Sequence, residues 1–173
     1  MNIRKITKAE IQKVATFYDN TVKWLDENIN YPRWIYKVYP SFESVEEMTS
    51  LEAQYICEEN GEIVAAFGLN NKPQGTFYKG NWEQELNEGE FLVIHALAIK
   101  PEKQKHGLGT TIVKFCIKHT QENGFKAIRL DIVPSNYPAK ALFEKNGFRH
   151  VGDYDLEMRI KGIPEFSLYE LNW

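Results

Sequence analysis

Residues 91–124, FLVIHALAIKPEKQKHGLGTTIVKFCIKHTQENG, constrain the fold more than any other part of the chain. The stretch opens as an apolar run rich in Val, Leu and Ile, passes Lys100-Pro101, and becomes a turn bearing Gly107 and Gly109. Helical spacing of apolar residues then carries on to Asn123-Gly124. A strand, a glycine turn and a helix in that order leave unpaired backbone N–H groups at a helix N-terminus, where the helix dipole also favours negative charge. Lys100, Lys103, Lys105 and His106 surround the turn against a single acid, Glu102. The ligand implied is one that carries phosphate.

Glycine spacing narrows that ligand. A dinucleotide-binding turn needs G-x-G-x-x-G, and a P-loop needs Gly-Lys-Ser/Thr at the helix start. Gln104-Lys105-His106-Gly107-Leu108-Gly109-Thr110 is neither. It resembles the Gln/Arg-x-x-Gly-x-Gly/Ala loop of the GCN5-related N-acetyltransferases, the GNAT superfamily, where that loop holds the pyrophosphate of acetyl-CoA. Residues 127–133 follow as a strand by alternation and β-branching. Residues 134–148, PSNYPAKALFEKNGF, then resemble the second motif of the family, Asn-x-x-Ala-x-x-Leu-Tyr-x-Lys-x-Gly-Phe. The local physics agrees, because Asn136 suits a helix N-cap and Gly147 a helix stop.

The rest of the chain supplies the other elements. Residues 2–6 alternate as a strand, and Thr7-Lys8-Ala9-Glu10 is a capping box. The helix it starts puts Ile11, Val14, Phe17, Tyr18, Thr21, Val22 and Leu25 on one face. A proline-bracketed, aromatic segment at 30–40 precedes a second capping box, Ser44-Val45-Glu46-Glu47, which predicts a short helix ending near Ala53. Residues 54–58 and 62–69 read as a hairpin across Asn60-Gly61. A polar loop at 70–89 leads to the apolar strand, and 148–159 with 163–171 read as a closing strand pair around Lys161-Gly162. The order β, α, α, β, β, β, α, β, α, β, β is an α/β layer design around a mixed sheet. The resemblance implies the same: a single-domain GNAT-like fold over 1–173, with a mixed central sheet of roughly six to seven strands and about four helices. Its CoA-binding motifs would lie at about 91–148, and its acceptor-side elements at about 7–53.

Composition excludes other classes. A formal net charge of -3 lacks the basic excess of a general nucleic-acid binder. Two cysteines, Cys57 and Cys116, form neither a metal knuckle nor a disulfide framework. No run reaches the length of a membrane span, and Met1-Asn2-Ile3-Arg4 does not begin a signal peptide. The expectation is a cytoplasmic protein without metal, membrane or nucleic-acid partner, for which a homodimer is left open.

The resemblance implies acetyl transfer from acetyl-CoA to a primary amine of a small molecule or peptide. Pantetheine would pair with the strand at Leu97, Ala98 and Ile99, and residues Gln104 to Thr110 would take the pyrophosphate on backbone N–H groups. Asn136, Ala139, Phe143 and Lys145 match the second cofactor motif. A bulge in the central strand would free an N–H near Leu97 or Ala98 for the acyl oxygen. For deprotonation the candidates are His95, on the strand face shared with Val93 and Leu97, and Glu90 at the strand start. An alternative for His95 is a buried imidazole bonded to a backbone carbonyl. Phe143 stands where the family usually has the tyrosine that protonates the leaving thiolate, and it has no hydroxyl. Tyr137 or water takes that part, the thiolate leaves unaided, or the chain is a non-catalytic acyl-CoA sensor or assembly module. On the acceptor side, Tyr31 and Trp34, with Tyr36 and Tyr39, are candidates to receive an amine by cation–π attraction, the alternative being core packing. Asp131, which follows Arg129 inside an apolar strand, is a candidate substrate contact or one half of a structural pair.

Overall fold

The computed structural model describes Met1–Trp173. Its strands are β1 (Asn2–Lys5), β2 (Gln54–Glu59), β3 (Glu62–Asn70), β4 (Phe91–Ile99), β5 (Ala127–Ile132), β6 (Arg149–Tyr154) and β7 (Phe166–Asn172). The helices are α1 (Ile11–Glu27), α2 (Phe42–Ser50), α3 (Leu108–Glu122) and α4 (Tyr137–Lys145). The seven strands are hydrogen-bonded in the order β1-β2-β3-β4-β5-β7-β6. β1–β2, β2–β3, β5–β7 and β6–β7 pair antiparallel, whereas β4–β5 pair parallel, so the sheet is mixed. The parallel register runs over three residues, Phe91 to Val93 against Ala127 to Arg129. Element order and fold class are those the sequence predicts.

The backbone divides into two compact units, Met1–Asn70 with His95–Ile112, and Asn71–Ile94 with Val113–Trp173. The first unit is built on the hairpin. Asn60 and Gly61 both have positive φ, 52° and 80°, which is the two-residue turn that matches strand twist. The core of this unit collects Ile11, Val14, Tyr18, Val45, Ile56, Ala66 and Ala98. The expected capping box at Thr7 and Glu10 is present and opens a 3-10 turn that leads into α1. The second helix starts earlier than its sequence signal. Its N-cap is Ser41, whose reciprocal partner is Ser44, so the helix begins at Phe42 and ends at Ser50. Serine at the third helical position replaces the glutamate sought there, because a short hydroxyl reaches the cap N–H equally well at 2.8 Å.

The core of the second unit gathers Phe77, Phe91, Val93, Leu156, Phe166 and Leu168. Its loop before β4 is less polar than the sequence implies. Phe77 lies in a 3-10 turn and is 1% exposed, and Trp82 packs on it with ring centroids 4.8 Å apart. Arg129, fully buried, stacks on Trp82 and Phe91 and donates to the Gln84 carbonyl at 2.7 Å. The first closing strand ends at Tyr154, five residues before the predicted limit at 159.

Candidate active site

β4 carries the centre of the site. Phe91 to His95 are buried in unbroken succession, as in a strand covered on both faces. The pleat then breaks. Ala96 has φ +46°, a left-handed conformation that costs a non-glycine residue roughly 1–2 kcal/mol. The simple alternation that grouped Leu97 with Val93 and His95 is therefore interrupted before it reaches Leu97. The Tyr18 hydroxyl donates to the Ala96 carbonyl at 2.9 Å, joining α1 to the break. Beyond it, Leu97 and Ile99 are half-buried and Ala98 is buried in the core of the first unit. Lys100 N–H donates to the Val64 carbonyl at 2.9 Å, and the Gln104 side chain donates to the Ile99 carbonyl at 3.1 Å, fixing the end of the strand.

His95 differs from the expected near-neutral base. Its ring is 6% exposed, and burial lowers its pKa to about 4, so it is uncharged at neutral pH. Its partner is the side chain of Asn70, not a backbone carbonyl, with Nε2 at 2.9 Å from Asn70 Oδ1. Asn70 Nδ2 contacts Met48 Sδ at 3.2 Å, which supports the amide oxygen facing the imidazole. Nε2 then carries the proton and Nδ1 the lone pair. The packing is close on this side. A Cβ at Gly68 would lie 2.6 Å from Met48 Cε and 3.2 Å from His95 Cβ.

The basic turn is less free than its composition implied. Lys100 pairs with Glu62 at 2.6 Å and Lys103 pairs with Glu59, both acids belonging to the hairpin. Gln104 N–H is bonded to the Pro101 carbonyl at 3.1 Å, so it is not among the donors left for phosphate. Lys105, His106 and Gly107 are exposed, and Lys105 and Gly107 have φ of +63° and +83°. α3 begins at the next residue, so Leu108, Gly109 and Thr110 present the unpaired N–H groups of its first turn. An added Cβ at Gly107 would meet open space, so backbone conformation is what calls for glycine there in this structure.

The aromatic segment is structured by its own contacts. Asn30 brackets Trp34, accepting from its N–H at 3.1 Å and donating to its carbonyl at 2.7 Å. Trp34 is half-buried, edge-on to Tyr18 at 6.2 Å and to Tyr39 at 6.4 Å, and packs on the core of the first unit. Tyr36 already has Lys23 Nζ 4.7 Å and Lys37 Nζ 5.4 Å from its ring centre, so it is not an empty platform for an ammonium. Tyr31 is half-buried in the same segment.

In the second unit, Glu90 is engaged at the start of β4. It pairs with Lys126 and accepts from Asn87 N–H at 2.8 Å, and the lysine first, then the amide, holds its pKa below the usual carboxylate value. It is a loop clasp at the far end of β4 from Leu97. Arg129 does not pair with Asp131. It faces Glu170, which also binds Arg149. Asp131 is half-buried without a cationic partner, and desolvation raises it to about 6. Asn136 caps α4 as expected, accepting from Ala139 N–H at 3.3 Å, and Gly147 has φ +90° just past the helix. Phe143 is 3% exposed and edge-on to Phe148 at 5.2 Å, so its ring packs in the core. Ala139 is half-buried and Lys145 exposed, and Tyr137 is 67% exposed at the start of α4. No group of three or more His, Cys, Asp or Glu is placed to hold a metal ion, and no helix is long and apolar enough to cross a membrane.

Against known proteins, the acetyltransferase (GNAT) family profile matches residues 19–148. The chain belongs to this family. A GNAT-family acetyltransferase of Streptococcus agalactiae superposes with TM-score 0.78 at 15% identity, over 99% of this chain and 95% of that one. The yncA protein of Salmonella typhimurium, solved with its cofactor acetyl-CoA, gives TM-score 0.69 at 16% identity over 99% and 93%. An uncharacterized N-acetyltransferase of Methanocaldococcus jannaschii is 20% identical over 150 residues. That match takes in 84% of this chain but 59% of the archaeal protein. Two residues tied to the GNAT-type strand, Tyr18 and Asn70, were not among those expected from the sequence. Tyr18 sits in the apolar stripe of α1, and Asn70 ends the hairpin, so neither spacing nor composition separates them from structural residues.

Proposed function

We propose that the chain is a cytoplasmic, acetyl-CoA-dependent N-acetyltransferase acting on a primary amine of a small molecule or peptide. The observation that carries this reading is the run from the Ala96 break through Gly107 to the first turn of α3, because it joins a strand end, a left-handed turn and a helix N-terminus. Family membership and the acetyl-CoA in the Salmonella relative support it. In the proposed complex, Leu97, Ala98 and Ile99 pair with the pantetheine arm as an added strand would. The N–H groups of residues 105–110 receive the pyrophosphate at the positive end of α3.

At the acyl carbon the reaction forms one bond and breaks one. The uncharged amine attacks the thioester carbon, a C–N bond forms, the C–S bond breaks, and the amine proton leaves for base or water. An N–H beside the Ala96 break stabilises the oxyanion, commonly the largest catalytic contribution. His95, neutral and held by Asn70, offers Nδ1 as an acceptor that orders the amine or a water rather than as a strong base. Tyr137 is the hydroxyl proposed to protonate the departing thiolate in place of Phe143.

A thiol-release screen over small amines and N-terminal peptides tests this reading. Release dependent on one amine class confirms transfer and names the acceptor. Binding of acetyl-CoA with no release across the panel moves the assignment to an acyl-CoA sensor, the reading that Phe143 favours.

A further inference from the structure

Tyr18 is 1% exposed, inside a core of Ile11, Val14, Val45 and Ile56 where phenylalanine would fit equally well. What its hydroxyl adds is the bond to the Ala96 carbonyl, 78 residues away in sequence. Trp34 stands edge-on to the ring and fixes its position. In a planar trans peptide the carbonyl and the N–H point in opposite directions. Holding the Ala96 carbonyl toward α1 therefore aims the Leu97 N–H away from α1. Donation into a carbonyl also draws charge through the amide and strengthens its N–H, by about 10–30% per bond. A left-handed alanine persists only where its surroundings over-determine it, and the Tyr18 bond is one such restraint. Burial raises the Tyr18 pKa, so the hydroxyl keeps its proton and remains a donor at working pH.

We propose that Tyr18 is the positioning residue of the oxyanion site: its hydroxyl, by holding the Ala96 carbonyl, turns the Leu97 N–H onto the acyl oxygen. This rests on the acetyltransferase reading above and names a residue in α1 that acts through β4. Tyr18 touches neither substrate nor thioester.

The test compares wild type with Tyr18→Phe in kcat, in KM for the amine and in the Kd of CoA. The expected result is a fall in kcat on the order of tenfold, smaller than the 10²–10³ typical of deleting an oxyanion donor outright. The Kd of CoA, which lacks the acyl oxygen, stays within about twofold. Unchanged kcat in a variant that binds CoA normally overturns the proposal. A second readout needs no variant. The Leu97 amide proton of wild type moves further downfield with acetyl-CoA than with CoA, and equal shifts overturn it. A wild type that neither binds acetyl-CoA nor releases thiol rejects the enzyme reading itself, and the proposal falls with it.

Discussion

At the scale of single residues, the pH behaviour of His95 is the clearest consequence of burial. Its folded pKa of about 4 lies below the ordinary imidazole value of 6.5, so the unfolded chain binds more protons between those two values. The stabilisation is complete above about pH 6.5 and is lost as pH falls toward 4. The shift corresponds to roughly 3 kcal/mol across that window. Chemical denaturation of wild type and His95→Gln between pH 4 and 7 should show this loss in wild type and a flatter curve in the variant. Parallel curves would mean that folding does not lower the pKa of His95. The sequence located His95 but left open whether it is a near-neutral base or a buried imidazole, because desolvation and the Asn70 bond are tertiary facts. The surroundings of Asp131 were equally hidden. Its neighbour Arg129 in sequence is claimed by Glu170 from a strand forty residues later, which no local pattern records.

At the scale of elements, the turn before α3 and the clasp before β4 make separate predictions. Gly107 has φ +83° and space around it, so Gly107→Ala should cost about 1 kcal/mol through backbone strain, and Gly107→Asn less, since asparagine visits that region more readily. Urea midpoints of the two variants decide it, and equal losses would show that space rather than φ sets the requirement. Glu90→Gln should leave kcat within about twofold, because Glu90 is bound to Lys126 and Asn87 at the strand start. A hundredfold fall, the lower range for losing a general base, would restore it to the mechanism. Elements were legible where the signal is local, as in the Thr7 capping box, the Asn60-Gly61 turn and the Asn136 cap. They were misread where an unlikely residue does the same work, as Ser44 does at the third position of α2. The Ala96 break left no mark on the sequence at all, and its position was available only through resemblance.

At the scale of the whole molecule, the succession of elements and the mixed sheet follow from two kinds of sequence signal, the period of apolar residues and the glycine-marked turns. The buried charge in the second unit was invisible to both. Arg129 and Glu170 are 2% and 1% exposed, with Arg129 Nε and Glu170 Oε2 each lacking a hydrogen bond. Removing one partner strands the other, so Arg129→Met should lower stability by roughly 3 kcal/mol, at the low end for buried pairs because Arg149 still reaches Glu170. A loss below about 1 kcal/mol would mean that the stacking on Trp82 and Phe91 and the bond to Gln84 contribute little net. The account as a whole depends on one binding event at the turn before α3. Calorimetric titration of acetyl-CoA into wild type and into Gly107→Val tests it most directly. The predicted result is saturable one-to-one binding to wild type and its loss in a variant that still unfolds cooperatively. Equal affinity in both, or no binding to wild type, would contradict the assignment of this turn to the pyrophosphate.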